Sequence, residues 1–304
     1  MTPRFSVIIA VYNDWTLLNG CLESLGHEAN APTFEVIVVD DGSKEPAPEI
    51  IEHWAQHYPL TILREPHKGI PSARNRGIRA SKGSILVFVD ADCRFKSDCL
   101  TALDSIASSS PHDCFQLHLV GDCTNLLGRA EELRLVVFQK QILQPDGCVR
   151  YLNTAGFAIR REKVDVENGL FDPSLLRGED TLLLANLIQR GQLPFFASNA
   201  TIQHVVPLSL IGSIRKDLRS AYLERASYDR ISSLGVRVRV QNRERFKMLL
   251  EMWKVSKSKE LRRSAWFAVV IRQLFRRIFA VFFRLFGVHP QSDVSVNSAE
   301  LVGK

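Results

Sequence analysis

The sequence has 304 residues, of which 45% are hydrophobic and 24% charged, enough apolar chain to close a sizeable core, so disorder of the whole chain is excluded. Its net charge of +6 conceals a division: residues 205–290 carry nineteen Lys/Arg against six Asp/Glu, whereas residues 1–204 carry nineteen against twenty-five. That polarity points to an acidic partner for the C-terminal part, a nucleic acid or an anionic membrane surface, with a solvated basic face as the alternative.

The first half alternates apolar runs with helical spacing. Residues 5–11 form a nearly unbroken apolar run, as expected of a strand covered on both faces. A helix is predicted over 17–25, a second strand over 34–39 and a helix over 48–57. A strand over 60–64, a helix over 72–80 and a strand over 84–89 follow. This order predicts an α/β fold with a mainly parallel, doubly wound sheet. Polar residues gather where those strands end: Tyr12 and Asn13, Asp40 and Asp41, Asp90 and Asp92. In such sheets ligands bind beyond the C-terminal strand ends. One aspartate there would read as a turn former or helix cap; the repetition reads as a site.

Beyond residue 117 the pattern is less regular. A helix is expected over 128–144, a strand over 153–159 after a polar turn, a helix over 181–189 closed by Gly191, and a short strand over 201–204. The six cysteines show neither a Cys-x-x-Cys pair nor zinc-site spacing, and read as thiols of a reducing compartment. The N-terminal apolar run is too short for a signal peptide, which sets the expectation of a cytoplasmic protein.

Four segments carry chemistry: Ser6-Val-Ile-Ile-Ala-Val-Tyr-Asn13, Val38-Val-Asp-Asp-Gly-Ser43, Phe88-Val-Asp-Ala-Asp92 and Gly178-Glu-Asp180. In order and spacing they resemble family 2 glycosyltransferases of the GT-A fold, over roughly residues 5–207. The resemblance implies an inverting transfer from a nucleotide-diphosphate sugar, UDP favoured, to a hydroxyl of a glycan or glycolipid. It implies Asp180 as general base, Glu179 on the acceptor side, Asp92 as ligand of a divalent metal (Mg²⁺ or Mn²⁺) and Asp90 nearer the ribose. It places Asp41 and Tyr12 beside the nucleobase and the backbone of Ala10 against the nucleotide. Oxygen ligands suit these cations, and a cation stabilises charge growing on a diphosphate leaving group.

Around this core, Lys68 and Arg74 offer positive charge near a helix start and are candidates for the donor phosphates, with Arg76 and Arg79 as surface charges. Glu179 and Asp180 also suit the start of a helix, where carboxylates complement the dipole. Two readings stand for His204, completion of the metal shell or a structural histidine. Gly156, in the run 153–156, is expected in an acceptor pocket where small residues let a sugar approach.

The organisation expected is a catalytic domain over 1–207, with a donor half to about 115 and an acceptor half from 116. A basic amphipathic helical region over 208–290 and a polar, disordered tail over 291–304 complete it. In the run 266–286, at about 100° per residue, Arg272, Arg276, Arg277 and Arg284 fall within roughly 140°, opposite Phe267, Ile271, Leu274, Phe275, Ile278, Phe282 and Leu285. Four arginines argue against a spanning helix. An interfacial helix at the inner face of the cytoplasmic membrane, arginines toward lipid phosphates, accounts for both sides; packing on the catalytic domain or a second subunit is the alternative. No nucleic-acid motif accompanies the basic region, so no nucleic-acid partner is expected. A polyprenyl-phosphate sugar synthase is the second enzymatic reading. Against it, a phosphate acceptor is already ionised and has no need of the base that Asp180 offers.

Overall fold

A computed structural model describes residues 2–28, 30–175, 177–205, 210–236, 238 and 242–285. In chain order the strands are β1 (Phe5–Val11), β2 (Phe34–Asp40), β3 (Leu60–Arg64), β4 (Ile85–Asp90), β5 (Cys93–Phe95), β6 (Cys114–Gly121), β7 (Phe157–Arg160) and β8 (Phe195–His204). The helices are α1 (Trp15–Gly26), α2 (Glu49–Glu52), α3 (Ile70–Ala80), α4 (Cys99–Ser109), α5 (Leu126–Ile142), α6 (Glu179–Gln189), α7 (Leu210–Ser233), α8 (Asn242–Val255) and α9 (Arg262–Leu285). The strands form one sheet in the order β3-β2-β1-β4-β7-β6-β8-β5. β3, β2, β1 and β4 run parallel, β7 opposes both β4 and β6, and β5 opposes β8. The expected α/β sheet is present, with its antiparallel strands in the second half.

The unbroken apolar character of β1 has a direct cause. Phe5, Val7, Ile9 and Val11 pack into one core with Leu18 and Leu22 of α1 and Leu100 and Leu103 of α4. Ile8 faces a second core with Ile78 of α3 and Leu183, Leu184 and Leu187 of α6. Both faces of β1 are covered, and each of its residues is buried or half-buried. The polar ends of the strands are then the one place where this layer can address a ligand.

Differences from expectation have local reasons. The predicted helix over 48–57 is a single α turn followed by a 3₁₀ turn at His53–Gln56. The predicted strand over 153–159 starts only at Phe157, because Thr154–Gly156 form a 3₁₀ turn capped by the Asn153 side chain on the Ala155 N–H, 2.9 Å. The sequence pattern conceals β6 because it carries Gln116 and His118. Gln116 is fully buried, accepting from the Asn153 N–H at 2.7 Å and donating to the Gly156 carbonyl at 2.8 Å, which satisfies its amide.

In the C-terminal region, Ala265, Ala268 and Val269 of α9 pack with Ala130, Leu133 and Val137 of α5 and Met248 and Met252 of α8. Arg272 donates to both carboxylate oxygens of Asp217 on α7, at 2.8 and 3.0 Å. Of the arginines in that sector, Arg272 therefore faces the protein, while Arg277 is exposed. The broad apolar face opposite points outward. The expected tail over 291–304 lies outside the described residues.

Candidate active site

Four chain segments meet at the C-terminal ends of β1, β2 and β4. Ala10 lies in register with Val39 and Asp90, so the first, second and fourth strands deliver their last residues to one edge. The loops beyond are tied together. The Asn13 N–H donates to Ser43 Oγ at 2.8 Å, and the Lys44 N–H donates to Asn13 Oδ1 at 2.9 Å. Ser43 in turn gives its own N–H to Asp40 Oδ1, 2.8 Å.

Asp41 has only 3% of its surface exposed. Its carboxylate accepts the Lys68 N–H at 2.8 Å and the Gly69 N–H at 3.0 Å, and lies 2.9 Å from His67 Nδ1. Gly42, at φ 75°, permits this approach, since a Cβ there would fall 2.6 Å from the His67 nitrogen. Asp41, expected beside the nucleobase, thus also fixes the loop over 67–69. Tyr12 stacks on His67 with ring centroids 4.2 Å apart, and this pair supplies the aromatic surface beside the loop. The sequence pattern does not point to His67. The Lys68 side chain is exposed.

Arg74 departs from its expected role as a phosphate ligand. It is 2% exposed, with Nη2 2.8 Å from Asp90 Oδ1, and Nη1 3.2 Å from Glu179 Oε1 and 3.9 Å from Asp180 Oδ1. Its guanidinium also lies over the Phe171 ring, 5.3 Å from the centroid. Burial works against its charge, but the three carboxylates more than compensate and hold it firmly protonated.

Glu179 and Asp180 open α6 behind Gly178, whose φ of 86° turns the chain into the helix. Thr154 Oγ1 donates to Asp180 Oδ1 at 2.7 Å, fixing the carboxylate from the 3₁₀ turn. Burial, then the charge of Glu179, pushes the Asp180 carboxyl up to about 7, against the pull of Arg74 and Thr154. Asp180 keeps 28% of its side chain exposed, enough to meet a proton donor, while Glu179 keeps 12%. Gly156, expected in an acceptor pocket, is buried. A Cβ there would meet Leu119 at 2.8 Å and Leu117 at 3.3 Å, so the residue is small to fit the core.

Asp92 follows the turn after β4, and the chain reverses into β5. There Cys93 stands in register with His204 of β8, which brings His204 Nε2 to 3.2 Å from Asp92 Oδ2. Burial disfavours the charge on both, yet their mutual hydrogen bond and attraction lower the Asp92 carboxyl and raise the His204 imidazole from their ordinary values. The Lys216 charge on α7 reaches this pair and Asp14, an addition the sequence pattern does not disclose. Among the described residues, no group of three or more His, Cys, Asp or Glu side chains converges as a metal cage. A carboxylate oxygen and an imidazole nitrogen at the mouth of the site fit a cation whose other positions are filled by phosphate oxygens and water.

Comparison with known proteins identifies the fold and the family. Among curated proteins, the putative glycosyltransferase EpsH of Bacillus subtilis is 36% identical over 92 residues, 30% of this chain and 26% of that protein. This chain therefore matches about a quarter of that relative's length. Among solved structures, the mannosyltransferase PcManGT from Pyrobaculum calidifontis, in complex with GDP-Man and Mn²⁺, superposes with a TM-score of 0.62 at 17% identity, covering 95% of this chain and 89% of that one. TarS (residues 1–349) of S. aureus with UDP-GlcNAc superposes with a TM-score of 0.54 at 16% identity, covering 93% and 92%. These likenesses establish the fold. The model of glycosyl transferase family 2 matches residues 6–168, more than half of the sequence, and the chain belongs to that family.

Proposed function

We propose that the protein transfers a sugar, with inversion, from a nucleoside-diphosphate sugar to a hydroxyl group of a glycan or glycolipid. The observation that carries this reading is Asp180: a partly exposed carboxylate, oriented by Thr154 and joined through Arg74 to the donor-side Asp90, with the Asp92–His204 pair on the same sheet edge. In a single displacement the acceptor oxygen bonds to the anomeric carbon as the carbon–oxygen bond to the diphosphate breaks. Asp180 takes the hydroxyl proton, and the nucleoside diphosphate leaves with the bonding electron pair. Asp92 and His204 would hold a divalent cation, Mg²⁺ or Mn²⁺, which supplies Lewis-acid stabilisation of the departing diphosphate. Tyr12 and His67 offer a stacking surface for the nucleobase, and Lys68 and Lys216 add positive charge for the phosphates. GDP-Man and UDP-GlcNAc, the donors bound by the two fold neighbours, support a nucleotide-sugar donor here, and Mn²⁺ in the first supports the cation. UDP is the preferred nucleotide on family resemblance. Screening UDP-, GDP- and dTDP-sugars for thermal stabilisation, with and without Mn²⁺, tests the reading; no shift with any of them would oppose it.

The base assignment fixes a pH dependence. Asp180 acts only when ionised, and its carboxyl lies near 7, so kcat/KM for the donor should fall tenfold per unit below that pH and level off above it. Thr154→Val removes the hydrogen bond that favours the ionised form. A charge-assisted bond of this kind contributes about 1.5–3 kcal/mol. The acid limb should therefore move up by about one to two units, with at least about fivefold loss of rate at pH 7.

We further propose that the acceptor is met at an anionic lipid surface on the cytoplasmic side of the membrane. On α9, Phe267, Ile271, Leu274, Phe275, Ile278 and Val281 are all exposed, Ile278 at 62%. No helix among the described residues is long and apolar enough to cross a membrane. An apolar stripe flanked by basic chain suits a helix lying in the interface. A second copy would bring two strongly cationic regions together, which disfavours the oligomeric alternative. Replacing Ile271, Leu274 and Ile278 together by Ser should abolish co-sedimentation with phosphatidylglycerol vesicles and leave monomer mass unchanged. Retained sedimentation, or dissociation of a wild-type dimer, would refute it.

A further inference from the structure

Arg74 touches both Asp90 on the donor side and the Glu179–Asp180 pair on the acceptor side. Its two terminal nitrogens divide between Asp90 at the end of β4 and the Glu179–Asp180 pair at the start of α6, at 2.8 Å on one side and 3.2 and 3.9 Å on the other. Its backbone is held just as firmly. The adjacent Asn75 side chain donates to the Phe171 carbonyl at 2.7 Å and accepts the Leu170 and Phe171 N–H groups at 3.0 Å, locking α3 to the chain that leads into α6. The guanidinium is 2% exposed, so water does not screen it and its charge is shared among its partners alone.

One cation faces three carboxylates, and the three are not equivalent. Asp90 has 37% of its side chain open to the cleft, against 28% for Asp180 and 12% for Glu179. Asp90 is thus the member that a ligand entering the donor side meets first. Among the described residues, the groups that act on Asp180 are Glu179 on its own helix, Arg74 on α3, Asp90 on β4, the Thr154 hydroxyl and backbone N–H, and Tyr151 before the 3₁₀ turn. Glu179 and Asp90 oppose its ionisation; Arg74 and Thr154 favour it. Of these, Asp90 alone belongs to the donor side, and Arg74 alone contacts it.

We propose that Arg74 is a positioning residue that reports donor occupancy to the general base: once a donor engages Asp90, the guanidinium charge is released toward Asp180. The base is then competent chiefly when a donor is bound, so the acceptor is deprotonated only beside a sugar that can receive it. Arg74 itself touches no reacting atom. This inference rests on the assignment of Asp180 as base. The fork geometry is essential to it, since a lysine ammonium is a point charge and cannot bind both sides at once.

The test uses full-length protein labelled with ¹³C at aspartate side chains, following the carboxyl resonance that titrates near 7 and is missing in Asp180→Asn. Asp90→Asn, which imitates an engaged Asp90, should lower that midpoint by a unit or more. Arg74→Lys should raise it by a similar amount. In the Arg74→Lys background, Asp90→Asn should lower the midpoint by clearly less than in wild type, because only the direct repulsion between the two carboxylates is left; equal shifts in the two backgrounds would mean that Arg74 is only structural. UDP, GDP and dTDP, each saturating with Mg²⁺, form the ligand arm. At least one should lower the wild-type midpoint by a unit, with the response lost in Arg74→Lys. No response in the wild type to any of the three, or an unmoved midpoint in Asp90→Asn, overturns the coupling. Transfer by Asp180→Asn is assayed alongside, and its persistence would strike the base assignment while the titrations still decide the coupling.

Discussion

Asp180→Asn should lower transfer by about a hundredfold to ten-thousandfold and at the same time make the protein more stable above pH 7. The first effect follows from removing a general base, worth about 10²–10⁴ in rate. The second follows from linkage. The carboxyl is raised from an ordinary 3.8 to about 7 in the folded chain, so folding favours its protonated form. The stability it contributes is complete below pH 3.8, falls as pH rises from there through 7, and above 7 the fold carries a buried charge that asparagine lacks. With 28% of the side chain still hydrated, the gain is about 1–2 kcal/mol, a rise in Tm of about 2–6 °C at pH 8 that shrinks toward pH 5. Arg74 keeps Asp90 and Glu179 as counter-charges, and asparagine can still accept from Thr154, so no new buried charge is left unpaired. Calorimetry at the two pH values, with a radiolabelled-sugar assay, reads both effects. A loss of stability at pH 8 would make Asp180 a structural partner of Arg74 and end its assignment as base. The coexistence of lower activity and higher stability is the signature of a group held in its unfavourable ionisation state for chemistry.

What the sequence disclosed was whatever chain-local pattern could carry. The four parallel strands are legible because both faces are covered, and Asp40, Asp90 and their neighbours stand out because a buried apolar run stops at a polar edge. Partnerships across the chain were legible only where the family resemblance supplied them, as for the metal-ligand candidates Asp92 and His204. Asp92 and His204 lie 112 residues apart and meet only because three-residue β5 takes a particular register on β8. Arg74 looks like any other helix arginine, and its burial against Glu179, 105 residues later, leaves no trace in local polarity. Asp41 was visible as a strand-end acid, yet its carboxylate belongs to the backbone of Lys68 and Gly69. In α9 the two-sided pattern was plain, but the side that faces the protein was decided elsewhere: Ala265 and Ala268 are small enough to seat against α5, and Asp217 on α7 claims Arg272.

Asp92→Asn should produce the complementary failure, losing cation-dependent donor binding and with it transfer. Asparagine keeps the shape beside His204 and the short strand β5, so the fold is preserved, but the anion that would attract a divalent cation is gone. Lewis-acid stabilisation of a leaving diphosphate is worth several kcal/mol, so the loss of rate should reach about three orders of magnitude. His204→Ala should weaken the same response while leaving the Asp92 carboxylate in place. The decisive comparison is thermal stabilisation by nucleotide with and without Mn²⁺. Ligand at a hundredfold excess over Kd stabilises by about 2.7 kcal/mol, a shift of several degrees that is readily measured. Wild-type protein and Asp180→Asn should both show the Mn²⁺-dependent increment, and Asp92→Asn should show none. An increment that survives in Asp92→Asn would move the cation away from the β5–β8 corner. An increment missing from Asp180→Asn would mean that the two carboxylates share one task, because a base that acts only on the acceptor has no reason to govern the metal-dependent capture of the donor.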